Sequence, residues 1–264
     1  MWEEIVVGAE LGVCFLVCLW YIRRSSLGIE YAVLTLTPQP RRSLLRQTYC
    51  AFCLVFFFAT LIFELVQTHG HGLAFYTCWN FVLQTLYWLW ALFDIENISR
   101  HRKLLLDVVF SNSILVACVV WLILYPLAQK AHSIDVLLNW RSYIQHGINV
   151  PLLGIEFFWF ESEPVLPMSN SGIAIIALFS ISYAIAACIF HYAFKTGYWP
   201  YPFLELDTPY APLWYALLLI LHFIAFGFVK VISIVRHRRF KMNRVVSMDS
   251  STAHLLDNDE LVYV

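Results

Sequence analysis

Residues 173–192 read IAIIALFSISYAIAACIFHY, a run without a single Asp, Glu, Lys or Arg. About 20 apolar residues are enough for a helix to cross the hydrocarbon core of a bilayer. Comparable segments occur on both sides of this run. They are Ile5–Tyr21, Tyr49–Val66, Leu73–Phe93, Val108–Leu127, Tyr143–Phe160 and Leu213–Val235. Together with Ile173–Tyr192, they predict about seven transmembrane helices.

The composition of the whole chain agrees with this prediction. Of the 264 residues, 60 % are hydrophobic and only 13 % are charged, and the mean hydropathy is +0.68. A soluble domain carries far more charge, so lipid must act as the solvent for this surface. Backbone groups in hydrocarbon have to be satisfied within their own segment, which favours helices. The predicted fold class is therefore all-α, a polytopic membrane protein.

The chain divides into three parts by composition. Residues 1–48 hold the first span and a basic loop, residues 49–235 hold a core of six spans, and residues 236–264 form a polar tail. The tail lacks helical periodicity and is predicted to be disordered. Its apolar ending, Leu261–Val264, is of the kind that adds a strand to a PDZ-type domain, a weak indication of such a partner.

The distribution of basic residues predicts the orientation in the membrane. Five Lys and Arg lie in residues 22–48, three in residues 94–107 and six from Lys230 onward, which is 14 of 17 in alternate loops. Cytoplasmic loops are enriched in Lys and Arg. The N-terminus is therefore expected outside or in the lumen and the C-terminus in the cytoplasm. The plasma membrane and the endoplasmic reticulum are not distinguished.

Neither a metal nor a cofactor nor a nucleic acid is expected. The seven cysteines all lie in apolar runs, which favours free thiols over a disulfide framework. Cys50 and Cys53 form a CxxC pair without a second pair, and the chain has no HxxxH motif. The net charge of −1 gives no reason to expect nucleic acid. Membrane lipids are the expected surroundings and partners.

Polar side chains inside spans are candidates for function because their burial in lipid is unfavourable. Helical rise places several of them at a similar depth near the outer side, in three different spans. These residues are Thr77, Asn80 and Gln84 in the third span, His146 and Asn149 in the fifth, and His191 in the sixth. Glu156, near the inner end of the fifth span, is expected to snorkel or to pair with an arginine of an inner loop.

A hydroxyl beside an imidazole can perform nucleophilic catalysis. Threonine is a poor nucleophile until a base takes its proton, and histidine has the pKa that suits this task. Thr77 and His146 are such a candidate pair. Each also has a structural interpretation, because Thr in helices often bonds to its own i−4 carbonyl and His can bridge helices.

Aromatic and proline residues are concentrated in residues 197–204, at the outer interface. The two prolines of this segment, Pro200 and Pro202, prevent a continuous helix. Trp199 and Tyr201 then belong either to a lid that controls substrate entry or to an aromatic belt that only anchors the chain.

Three of these stretches together resemble the androgen-induced transmembrane protein family, which includes the androgen-dependent regulator of tissue factor pathway inhibitor. They are 75–84, 145–149 and 197–205, and the resemblance runs from about residue 49 to 235. The resemblance implies a membrane hydrolase of fatty acid esters of hydroxy fatty acids, with Thr77 as nucleophile and His146 as base. Asn80, Asn149 and Gln84 are then candidates to orient these groups or to stabilise an oxyanion. Trp199, Tyr201 and His191 are candidates for substrate entry.

The chain departs from that family in two respects. Asn80 stands where an aspartate is typical of the family, so the rate or the specificity is expected to differ. The span Ile5–Tyr21 is an addition to the six spans of the family. Rolling-stone-type proteins of cell fusion share a similar layout, so a non-enzymatic protein, receptor-like, scaffold or fusion, is the alternative.

Overall fold

The computed structural model describes residues 2–24, 44–94, 99–130, 132, 134, 138–160, 168–193 and 197–259, with the side chains of residue 100 and of residues beyond 239 left out. Within these ranges the chain contains helices and no β-strand. Four helices are α1 (Trp2–Arg24), α2 (Leu44–Gln67), α3 (Tyr76–Phe93) and α6 (Ser171–Tyr192). A short 3₁₀ turn, His71–Ala74, precedes α3, and a second, Pro202–Leu204, lies between α6 and the last helix, α7 (Ala211–Asp259).

The remaining two helices contain π-helical turns. In α4, the segments Arg100–Val119 and Tyr125–Lys130 are joined by the π turn Val120–Leu124. In α5, the α-helical segments Trp140–Tyr143 and Asn149–Ile155 alternate with the π turns Ile144–Ile148 and Glu156–Phe160. Pro126 and Pro151 follow the first π turn of each helix within three residues. Proline lacks the N–H that continues an α-helix, which accounts for a locally widened turn there.

Six of the seven predicted spans fall within the described helices, and the third overlaps α3. Five of the helices are long and apolar enough to cross a membrane by length and composition: Trp2–Arg24, Leu44–Gln67, His101–Lys130, Ser171–Tyr192 and Ala211–Arg239. The third span begins at Tyr76 rather than at Leu73, because the 3₁₀ turn occupies the preceding residues. The prediction of an all-α polytopic membrane protein is confirmed.

The sequence predicts a disordered C-terminal tail with a PDZ-type ending. The backbone of α7 remains helical to Asp259, although the sequence suggested disorder from residue 236. The PDZ-type ending, Leu261–Val264, lies outside the described residues. All seven cysteines are free thiols, as predicted, and Cys118 is exposed on the surface of α4.

A buried ionic network around Glu156 joins α2, α3, α4 and α5 at one end of the bundle. The Glu156 carboxylate forms an ion pair with Arg46 and accepts a hydrogen bond of 3.0 Å from the hydroxyl of Tyr87. Arg102 donates to the same Tyr87 hydroxyl over 2.9 Å and pairs with Asp94, also over 2.9 Å. Glu156 is therefore paired with an arginine, as one of the two sequence interpretations predicts, although Arg46 lies within α2 rather than in a loop.

Candidate functional site

A cavity of about 680 Å³ lies among α1, α3, α4, α6 and α7. This volume is in the range of small-molecule sites in proteins. Its walls are almost entirely aliphatic and aromatic, and the few polar groups are Glu10, Tyr76, Thr77, Ser180, His222 and the tyrosine hydroxyls of the outer end. The cavity can hold an apolar chain and offers hydrogen bonds at a small number of points.

Several residues of the cavity wall are also exposed on the apolar surface of the helices. Ile5 and Val13 of α1 line the cavity although 73 % and 61 % of their surfaces are exposed. Ile220 of α7 also lines it and is 50 % exposed. The cavity is therefore not enclosed by the helices on every side.

Thr77 lies in the first turn of α3 and lines the cavity. Other threonines of the spans, Thr60 and Thr85, donate their hydroxyl hydrogens to the carbonyls of Phe56 and Phe81, four residues earlier. At the start of a helix this option is missing, because the preceding carbonyls do not belong to the helix. The structural interpretation of a Thr that bonds to its own helix therefore does not apply to Thr77.

Tyr201, in the segment between α6 and α7, lies next to Thr77. Its hydroxyl interacts with the hydroxyl of Thr77 and with the backbone N–H groups of Tyr76 and Thr77, which are unpaired donors at the start of α3. Burial raises the pKa of Tyr201 to about 12, although these hydrogen bonds act in the opposite direction. Tyr201 is therefore a neutral hydrogen-bonding partner of Thr77 at physiological pH.

Deeper in the cavity, Tyr76 connects α3 to α6 and α7. Its hydroxyl lies 2.9 Å from Nε2 of His222 and 3.2 Å from Oγ of Ser180. Nδ1 of His222 lies 2.6 Å from the carbonyl oxygen of Leu218. Only a protonated Nδ1 can bond to a carbonyl, so neutral His222 presents Nε2 as an acceptor to the Tyr76 hydroxyl. His222 is therefore a hydrogen-bond acceptor on the cavity wall.

His146 lies in the first π turn of α5 and does not line this cavity. It is buried, and its Nδ1 has no hydrogen-bond partner among the residues that the structure describes. Its carbonyl accepts a hydrogen bond of 2.8 Å from Nε1 of Trp121 in the π turn of α4. Val120 and Leu124 of that same π turn line the cavity, so one turn of α4 touches both the cavity and the segment of His146.

Three side-chain amides of α3 and α5 are buried. Asn80, Gln84 and Asn149 are at most 1 % exposed, and none of their nitrogen or oxygen atoms has a hydrogen-bond partner within the described part of the chain. Asn80 and Gln84 follow Thr77 on one face of α3, at the spacing that aligns side chains on a helix. Buried polar groups are nearly always hydrogen-bonded, so this set indicates room for water or for a polar part of a ligand.

Of the three candidates for substrate entry, one lines the cavity and two lie outside it. Tyr201 lines the cavity, as described. His191 instead stacks on Trp199 with a ring separation of 4.1 Å, and neither residue lines the cavity. This pair holds the segment between α6 and α7 against the end of α6. Trp199 therefore fits the interpretation as an anchoring residue better than the interpretation as part of a lid.

Two ionisable residues of the cavity wall, His222 and Glu10, are not among the candidates from the sequence. The direction in which each side chain points depends on how the helices pack, and the sequence does not show it. The signal in the sequence was the presence of an ionisable residue inside a predicted span.

Comparison with protein-family models gives a match to the FAR-17a/AIG1-like protein family over residues 43–233. The matched range covers α2 through most of the membrane part of α7, including Thr77, His146 and His222, and leaves α1 outside. No match to a curated protein or to a solved structure was found. Because the family model covers well over half of the chain, the protein belongs to the FAR-17a/AIG1-like family.

Proposed function

We propose that this member of the FAR-17a/AIG1-like family is an intramembrane hydrolase of lipid esters, with Thr77 as the nucleophile. The observation that carries the proposal is the position of Thr77 on the wall of an apolar cavity between helices that are long and apolar enough to cross a membrane. The fatty acid esters of hydroxy fatty acids, which the sequence resemblance implies, are the proposed substrates. An ester of this kind brings apolar chains that match the walls and a carbonyl group that matches the polar end of the cavity.

In the proposed reaction, a histidine removes the proton from the Thr77 hydroxyl as its oxygen attacks the ester carbonyl carbon. The tetrahedral intermediate collapses, the alcohol leaves with the proton held by the histidine, and an acyl-threonine remains. Water, deprotonated by the same histidine, then releases the fatty acid. Asn80 and Asn149, whose amide groups have no partner among the described residues, are candidate donors to the oxyanion.

His146 is the proposed base, as implied by the family resemblance. It makes no hydrogen bond to Thr77 within the described residues, so its role requires a water molecule or a movement of α5. His222 is the competing candidate, because it lines the same cavity as Thr77 and accepts from Tyr76, the neighbour of Thr77. Single variants of the two histidines distinguish these assignments.

The test uses the full chain purified in detergent, with hydrolysis of a hydroxy fatty acid ester and labelling by a fluorophosphonate as readouts. We expect Thr77→Ala to lose both, and Thr77→Ser to keep part of the activity because the hydroxyl remains. Substitutions of residues that act as a unit have non-additive effects on the rate. If a histidine is the base, its single variant, Thr77→Ala and the double variant should therefore all show the same residual activity. Thr60→Ala is the matched control, since Thr60 bonds to its own helix and lies outside the cavity.

A folded Thr77→Ala protein that hydrolyses esters at the normal rate would exclude Thr77 as nucleophile. If His222→Gln abolishes activity and His146→Gln does not, the base is His222. If the wild-type protein hydrolyses no ester and reacts with no probe, the protein is a non-enzymatic member of its family.

A further inference from the structure

Helices α3 and α5 carry polar residues at matching positions. On α3, Asn80 and Tyr87 lie seven residues apart. On α5, the same interval separates Asn149 from Glu156. Seven residues are about two helical turns, so the two members of each pair lie on one face of their helix, and Gln84 lies between Asn80 and Tyr87 on that face of α3. Each helix therefore has one face on which polar groups recur.

The two polar faces meet at Tyr87 and Glu156. The Tyr87 hydroxyl donates to the Glu156 carboxylate over 3.0 Å, between positions that are 69 residues apart. Arg102, at the start of α4, approaches Glu156 to 3.7 Å and donates to Tyr87, so α4 begins where α3 and α5 end. Trp121, near the end of α4, donates to the carbonyl of His146 near the start of α5. Helix α4 therefore runs opposite to α3 and α5, which both pack against it, and α3 and α5 run in the same direction.

This arrangement places Asn80 opposite Asn149. These two residues are also 69 positions apart, and each lies two turns before the contact of Tyr87 with Glu156. Helix α3 contacts the π turn that precedes Asn149 as well, so the two helices stay together over this distance. The proposed nucleophile, Thr77, lies three residues before Asn80. The amides therefore lie between the start of α3, which carries Thr77, and the ionic network of Glu156.

The amides of these two faces are buried without partners. Asn80, Gln84 and Asn149 are at most 1 % exposed, and all six of their side-chain nitrogen and oxygen atoms lack a hydrogen bond within the described residues. Each amide offers two N–H donors and a carbonyl acceptor. A bound cation would leave the N–H groups unsatisfied, and a bound anion would leave the carbonyl groups unsatisfied. Water both donates and accepts, and a buried water molecule typically bridges about three such groups.

The proposed reaction needs water beside a cavity that is poorly suited to hold it. The cavity walls are almost entirely apolar, and apolar cavities in proteins stay dry. An acyl chain bound there excludes water further, although the hydrolysis of an acyl-threonine consumes one water molecule per turnover. The polar face that continues from Thr77 along α3 is the alternative source.

We infer that Asn80, Gln84 and Asn149 bind a chain of water molecules between α3 and α5, and that this chain supplies the water that hydrolyses the acyl-threonine at Thr77. The inference rests on the proposed function for the acyl-threonine and deepens it by assigning the site that holds the second substrate. The oxygen of one water molecule attacks the acyl carbon, and its proton passes to the histidine base. The bond between the acyl carbon and Oγ of Thr77 breaks, Oγ takes the proton from the histidine, and the fatty acid leaves.

Gln84 is the residue that separates this role from direct contact with the ester. It lies seven residues from Thr77, about 10 Å along α3. At this distance its amide does not reach an ester carbonyl at Thr77, so it acts on the reaction through water. Gln84 is therefore a positioning residue in this assignment.

The test follows how the acyl-threonine is divided between two acceptors in the full-length protein in detergent. Hexan-1-ol, which reaches the apolar cavity from the micelle, competes with water, and mass spectrometry gives the ratio of fatty acid to hexyl ester. We expect Gln84→Leu to lower this ratio roughly three- to tenfold, the effect of one lost hydrogen bond to water. Gln84→Asn keeps an amide and should give a ratio closer to that of the wild type. A ratio does not depend on the amount of folded protein, so a loss of stability cannot imitate this result.

Thr85→Val is the matched control. Thr85 is the neighbour of Gln84 and is also buried, but its hydroxyl donates to the Phe81 carbonyl of its own helix. The ratio should therefore stay at the wild-type value in this variant. An unchanged ratio in Gln84→Leu, or an equal fall in Thr85→Val, would overturn the inference.

A second measurement is independent of turnover. Replacing a buried polar group that has no hydrogen bond by an apolar one stabilises a protein, whereas removing a group that binds water leaves the other partners of that water unsatisfied. With bound water, Gln84→Leu and Asn149→Leu should each lower the unfolding temperature, and the double variant should lose less than the sum. A higher unfolding temperature in either single variant would show dry amides and contradict the inference. If the wild-type protein forms neither fatty acid nor hexyl ester, the proposed function fails, and the unfolding temperatures alone decide whether the amides bind water.

Discussion

Glu156 in α5 and Arg46 in α2 form an ion pair between residues that lie 110 positions apart in the sequence. Both side chains are nearly inaccessible, at 0 % and 3 % exposure. Arg102 approaches the same carboxylate to 3.7 Å, so two guanidinium groups share one acid. Glu156 is therefore the partner of Arg46 and a second, more distant partner of Arg102, which also pairs with Asp94.

Replacing Glu156 is expected to destabilise the protein strongly. Removal of one member of a buried ion pair leaves an uncompensated charge and typically costs about 3–5 kcal/mol. Glu156→Gln should lower the unfolding temperature in detergent, whereas Glu205→Gln, at an exposed acid outside the network, should not. Adding Arg46→Met to Glu156→Gln should recover part of the loss, because one uncompensated cation is removed. Strictly additive losses in the double variant would argue against the pair.

Gly172 in α6 is expected to tolerate no side chain. A Cβ at this position would lie 2.6 Å from Cε2 of Phe226, a residue of α7 that is 2 % exposed. Gly172→Ala should therefore destabilise the protein by about 1–3 kcal/mol, the usual effect of overpacking a core. Gly227→Ala is the control, because no atom lies within 4 Å of its added Cβ and alanine favours the helix. Similar unfolding temperatures for the two variants would contradict the close packing of α6 on α7.

The sequence predicted the helices that the structure describes, because length and hydropathy indicate which segments can cross a bilayer. Helical rise also gives an expected depth for Thr77 and His146, since it converts residue number into depth. The sequence did not predict the cavity. Apolar residues surround α1 on all sides, so no pattern distinguishes the face that carries Glu10 toward α6 and α7 from the opposite face. The direction of a side chain around a helix axis is a result of packing, so the sequence could place neither His222 nor Glu10 on the cavity wall.

Tyr201 and Trp199 are expected to differ in their effect on hydrolysis. Tyr201 lines the cavity beside Thr77, whereas Trp199 stacks on His191 outside it. Tyr201→Phe removes a hydroxyl that contacts Thr77, and the loss of one hydrogen bond of about 0.5–1.5 kcal/mol should reduce kcat/KM by roughly three- to tenfold. If Trp199 belonged to a lid that controls substrate entry, Trp199→Ala would raise KM. Its position outside the cavity predicts a small effect instead, and an increase in KM as large as that of Tyr201→Ala would place Trp199 on the entry path.

The orientation of the bundle gives a prediction that rests on charge alone. Most Lys and Arg residues lie in alternate loops, and this asymmetry predicts an N-terminus outside and a C-terminus in the cytoplasm. The His69–Gly70 turn then lies outside, on the side of Thr77 and Tyr201, while the network of Arg46, Arg102 and Glu156 faces the cytoplasm. An engineered glycosylation acceptor at the N-terminus or in residues 67–72 should be modified in cells. The natural sequon at Asn97, which lies outside the described residues, should remain unmodified. Glycosylation occurs only on the lumenal side. A gel shift of the natural protein that disappears in Asn97→Gln would therefore show the opposite orientation, with the cavity in the cytoplasmic leaflet.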